Sequence, residues 1–179
     1  MKSIIACLLV LNFVSTFAQV TAVKPDSVQT IEGFKNLYRY QNFYIAGQPS
    51  YEELQWLKDK GVTTIINLRS AKENQDFTSA SFNEEIVAGQ MGLKYYSVPV
   101  DGIKEHTPAK LKELSGLLSD QPVLIHCASG GRATNFFMAY LVKNKGYSID
   151  KAVEIGKKLN FSFPLENLLD TKITMEEER

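Results

Sequence analysis

The stretch Val123-Leu124-Ile125-His126-Cys127-Ala128-Ser129-Gly130-Gly131-Arg132-Ala133-Thr134 decides how the rest of the chain is read. Val, Leu and Ile in succession predict a strand covered on both faces, as in a parallel sheet. The Gly-Gly pair then predicts a loop, and a helix follows from about Ala133 to Lys145. Loops at the carboxyl ends of strands in open α/β sheets are where ligands bind. Backbone N–H groups of such a loop and of the first helical turn create a small positive volume. Arg132 adds a full charge and a planar fork suited to an oxyanion. Cys127 opens the loop in that field, which favours thiolate and makes a nucleophile.

Strand and helix signals alternate on both sides of this stretch. Aromatic, β-prone runs occupy Phe34 to Tyr40 and Phe43 to Ala46. Ser50 and Glu53 form a capping-box pair that opens a helix from Tyr51 to Lys60. Val62 to Leu68 is a second buried strand, Arg69 to Asp76 a polar loop, and Ser79 to Met91 a helix with Phe82, Ile86 and Val87 inward. Lys94 to Val100 is a third strand, followed by Asp101-Gly102. Thr107 and Pro108 open a helix to Leu118, Ser148 or Asp150 opens another to Leu159, and Phe161 to Leu169 suggests a short capping helix. The expected class is α/β, a central mostly parallel sheet flanked by helices on both faces.

The 179 residues suffice for one core, and the formal net charge is zero. No basic stripe argues for nucleic acid, and no polybasic run argues for anionic lipid. Two histidines and two cysteines argue against a zinc site built from protein ligands, and no cofactor is expected. Residues 1–18 have the pattern of a secretory signal peptide: Lys2, an apolar run from Ile4 to Val14, and small residues up to Ala18. The run is short for an uncleaved anchor, and a lipoprotein reading through Cys7 is weaker because little apolar sequence precedes it. Cleavage after Ala18 would leave Cys127 as the one cysteine, in a periplasmic or secreted protein without stable membrane association. Residues 19–30 then form a disordered lead-in, 31–170 the domain and 171–179 a frayed tail.

His126-Cys127, four residues and Arg132 resemble the active-site loop of dual-specificity and tyrosine phosphatases, whose signature has five residues between Cys and Arg. The form His-Cys-Ala-Ser-Gly-x-Arg is similar to that of a bacterial phosphatase-like group with a shortened loop. The similarity spans roughly Phe34 to Leu159 and includes Gly47-Gln48-Pro49-Ser50, Ile65-Ile66-Asn67-Leu68-Arg69 and Val98-Pro99-Val100-Asp101. The resemblance implies a cysteine phosphatase-like fold and hydrolysis of a phosphorylated protein or small molecule, phosphotyrosine among the options. Cys127 would be the nucleophile and Arg132 the clamp on the phosphoryl oxygens, with Ala128, Ser129, Gly130 and Gly131 lining the cradle. Asp101 would be the general acid, with Glu105 and His106 as fallbacks. His126 would orient the loop. Ser129 or Thr134 would donate a hydrogen bond to the sulfur, the family's hydroxyl position after the arginine being taken here by Ala133. Arg69 is expected at the surface, with a place near the pocket as the lesser option. Two alternatives stay open: a rhodanese-like sulfurtransferase carrying a Cys127 persulfide, whose loops often share this length, and a non-catalytic anion-binding module.

Overall fold

The computed structural model describes residues 26–76, 81–160 and 165–172. The proposed signal peptide over residues 1–18 lies outside the described residues. One sheet contains β1 (Gln29–Thr30), β2 (Leu37–Tyr40), β3 (Phe43–Ala46), β4 (Thr64–Asn67), β5 (Lys94–Ser97) and β6 (Val123–His126), in the order β1-β2-β3-β6-β4-β5. The strands β3, β6, β4 and β5 run parallel, while β1 and β2 add antiparallel pairings at one edge.

The apolar strand β6 lies in the middle because it needs partners on both sides. Ile125 is in register with Ile45 of β3 and Ile66 of β4, and all three are buried. The two-residue period of a strand sends Leu124, Ile65 and Tyr44 to the other face. There they pack with Leu54 and Leu57 of α1 (Tyr51–Asp59) and Ala88 of α3 (Glu84–Gln90). The Ile125 face is covered by α4 (Pro108–Ser115), α5 (Gly131–Lys145), α6 (Ile149–Lys157) and α7 (Glu166–Leu169). Full burial of each such side chain is worth about 1.5–3 kcal/mol, so the two cores clamp the central strand and fix where its carboxyl end lies.

Several expectations change. Gln29 and Thr30, assigned to a lead-in, pair with Arg39 and Tyr38 as an edge strand. Arg69 to Asp76 is not simply a loop: it holds α2 (Ala71–Gln75), opened by a capping box in which the Glu73 N–H donates to Ser70 Oγ and the Ser70 N–H to Glu73 Oε2. Asn83 caps α3, which turns Glu84 and Ala88 inward and leaves Ile86 58% exposed. The helix after the Gly-Gly pair begins at Gly131, which places Arg132 in its first turn. Thr171, the first residue of the expected tail, is tied back to Glu166 and Leu169, and residues 173–179 of that tail lie outside the described residues.

Candidate active site

Cys127 is held at the carboxyl end of β6 by both neighbouring strands. Its N–H donates to Ala46 O at 3.3 Å, and the carbonyl before it, His126 O, accepts from Leu68 N–H at 2.8 Å. Its sulfur accepts a hydrogen bond from the Gly130 N–H at 3.1 Å. Gly130 adopts φ +101°, a conformation that a side chain disfavours, and this is what turns the loop back over the sulfur. The cysteine is 1% exposed, while Ala128 and Ser129 form an exposed rim beside it. Gly131, at the helix start, is buried.

Arg132 is tethered on three sides. Nη1 donates to Val100 O at 2.8 Å and Leu68 O at 3.2 Å, and Nη2 to Glu73 Oε1 at 2.6 Å. Burial works against its charge, but the Glu73 bond and the nearby Cys127 sulfur raise its pKa above the ordinary value. Burial likewise pushes Glu73 up, and the bonds to Arg132 and Ser70 outweigh it, holding the carboxyl below its usual range. A cation in the first turn of a helix is unfavourable unless an anion compensates. The anion here is a protein carboxylate brought by α2.

The other expected residues divide. Asp101 directly follows the Val100 carbonyl that Arg132 grips, and it is exposed, with its N–H bonded to Glu105 Oε2 at 2.6 Å. Glu105 is thereby engaged in holding the Asp101 backbone. His106 is buried against Phe136 with Nδ1 3.1 Å from Gly102 O, and burial, aided by the Arg132 charge, lowers its pKa. Thr134 is not at the sulfur: its hydroxyl donates to Leu159 O, tying α5 to the end of α6. Helical geometry turns the second residue after the arginine away from the loop. Ser129 contributes its carbonyl, which accepts from Asn160 Nδ2 at 3.2 Å. Arg69 is no surface arginine. It is buried, with Nη1 on Gln48 Oε1 and Nη2 on the Glu73 carbonyl.

A cysteine at a strand end, an amide on its sulfur and a tethered guanidinium now stand together. Residues 12–168 match the family model described as DSP-PTPase phosphatase fused to NAD+ kinase. The chain belongs to that family. It is a phosphatase of the dual-specificity and tyrosine type, which favours this reading over the sulfurtransferase one. Among relatives, the tyrosine-protein phosphatase candidate OCA1 of Debaryomyces hansenii is 26% identical over 136 residues, covering 73% of this chain and 69% of that one. Among solved structures, P. aeruginosa TpbA, crystallised as a cysteine-to-serine form in complex with pTyr, superposes with a TM-score of 0.57 at 21% identity, covering 75% of this chain and 79% of that one. A DUF442 phosphatase candidate from Shewanella putrefaciens gives 0.59 at 21% identity, covering 77% and 91%. These superpositions establish the cysteine phosphatase-like fold.

In this DSP-PTPase, residues that sequence reasoning left unassigned complete the site. Glu73 holds Arg132, and its capping-box spacing from Ser70 was the signal available. Glu84, on α3, places Oε1 3.0 Å from His126 Nε2 and accepts from Gln48 Nε2 at 3.1 Å on Oε2. Asn67 accepts from the Arg69 N–H at 2.7 Å and donates to Tyr95 OH at 2.7 Å. No local pattern marks Glu84 or Asn67, since their partners come from distant segments.

Proposed function

We propose that the protein is an exported phosphatase that hydrolyses phosphomonoesters, phosphotyrosine among them, through a cysteinyl-phosphate on Cys127. The observation that carries the reading is the Gly130 N–H on the Cys127 sulfur with the Arg132 fork secured beside it. The sulfur attacks phosphorus in line, the ester P–O bond breaks, and the leaving oxygen takes its electron pair and a proton from Asp101. Arg132 and the loop amides offset charge on the transferring group, which is where positioning and electrostatics matter most. Water then attacks the cysteinyl-phosphate, giving its proton to Asp101. The S–P bond breaks and the sulfur recovers its electron pair. The pTyr bound to TpbA supports an aryl phosphate as the first substrate to try.

Steady-state hydrolysis of p-nitrophenyl phosphate tests the chemistry. Wild-type turnover well above that of Cys127→Ser is expected, and equal rates would refute it. Export rests on Lys2, the apolar run and Ala18. Among the described residues no helix is long and apolar enough to cross a membrane. Amino-terminal sequencing of the protein from a periplasmic or culture fraction should begin at Gln19. Retention of Met1 in the cytoplasm would refute export.

A further inference from the structure

Two side chains around the nucleophile have no role in the chemistry above. His126 is fully buried one residue before Cys127, and among the described residues neither of its ring nitrogens has an aligned hydrogen-bond partner. The Glu84 carboxylate is its nearest charge, with Oε1 3.0 Å from Nε2, and is itself only 7% exposed. A carboxylate buried this far is costly unless compensated. Gln48 Nε2 supplies one compensating bond to Oε2 at 3.1 Å, and Gln48 is in turn held by Arg69. The backbone N–H of the same Gln48 donates to Ala128 O at 3.1 Å. The residue before the nucleophile and the residue after it therefore both lead to Glu84.

We propose that Glu84 is a positioning residue that braces the two chain neighbours of Cys127 at once, His126 directly and Ala128 through Gln48. This rests on the phosphatase reading of the loop and adds to it what keeps the sulfur aimed. The carboxylate, 3.0 Å from Nε2, holds the His126 ring against α3. Gln48 bonds Glu84 and Arg69 with its amide while its backbone holds the Ala128 carbonyl, so the loop cannot rotate about Cys127 without breaking the chain of contacts. In-line attack is sensitive to such alignment, since a displacement of about 1 Å can lower the rate on the order of a hundredfold.

Glu84→Gln in the full chain keeps the shape and removes the charge. With p-nitrophenyl phosphate, kcat should fall on the order of tenfold or more while KM stays within about threefold, the pattern of a lost transition-state alignment. A merely structural carboxylate would lower the melting temperature and leave kcat of the folded protein unchanged. Alkylation of Cys127 by iodoacetamide should become faster, because the residue is 1% exposed and a loosened loop uncovers it. Gln48→Met removes the side-chain bonds to Glu84 and Arg69, leaves the His126 contact, and should give a smaller loss of the same kind. Wild-type kcat in folded Glu84→Gln, or a raised KM with kcat intact, overturns the proposal. If Glu84→Gln does not fold, wild-type kcat in Gln48→Met overturns it. If the wild type shows no turnover above Cys127→Ser, the phosphatase reading fails. The bracing is then judged by alkylation alone, and equal rates in all three proteins reject it.

Discussion

Replacing Gly47 with Ala separates stability from catalysis at this site. Gly47 follows β3 and faces the loop after Cys127. An added Cβ would lie 3.2 Å from Ala128 O and 3.5 Å from Ser129 C. The first contact is tighter than ordinary packing, so the Ala128 carbonyl must retreat by roughly 0.2–0.3 Å before normal van der Waals separation is restored. That carbonyl already accepts its Gln48 N–H bond at 3.1 Å, and it belongs to the residue bonded to Cys127. If about 1 Å of misplacement lowers the rate about a hundredfold and the penalty scales with distance, this shift lowers kcat/KM roughly threefold. Gly47 is not among the glycines in the left-handed region, so alanine is conformationally acceptable. Restricting the unfolded chain then contributes about 0.4–1 kcal/mol, which offsets the crowding. The melting temperature should stay within about 3 °C of wild type. Gly47→Val, with two more methyl groups facing the same carbonyl, should lose more activity. Unchanged kcat/KM in both variants, or a loss in Tm of more than about 6 °C for Gly47→Ala, would refute the reasoning.

Thr134→Val should destabilise the fold by about 1–2 kcal/mol through loss of the Leu159 bond, with kcat unchanged, as read by urea unfolding and turnover. A fall in kcat with stability intact would return the hydroxyl to the sulfur. Asp101→Asn should slow phenyl phosphate, whose leaving group needs a proton, far more than p-nitrophenyl phosphate. Equal losses on both substrates would remove Asp101 as the acid. Glu73 and Glu84 both titrate below the ordinary carboxylate range when folded. Their stabilisation is therefore complete above the unfolded-state pKa and is lost as pH falls through the lower folded values. Urea midpoints should drop on acidification, and Glu73→Gln should flatten that drop. An unaltered acid limb would contradict the assignment.

The chain's local chemistry was enough to determine a good deal. Val123 to Ile125 had to be a doubly covered strand, Ser50 with Glu53 had to open a helix, and Cys127, Gly130 and Arg132 had to share one turn, because each depends on neighbours within a few residues. The α2 helix was legible in the same way, through Ser70 and Glu73, although the polarity of the segment suggested a loop. Tertiary structure alone decided what surrounds that turn. Arg132 meets Glu73 from α2, the carbonyls of Leu68 and Val100 come from the ends of two other strand segments, and His126 meets Glu84 from α3. It also sent Thr134 to Leu159 and buried Arg69. Buried charges take whichever partners the packing of remote elements supplies, and nothing in local spacing records that choice.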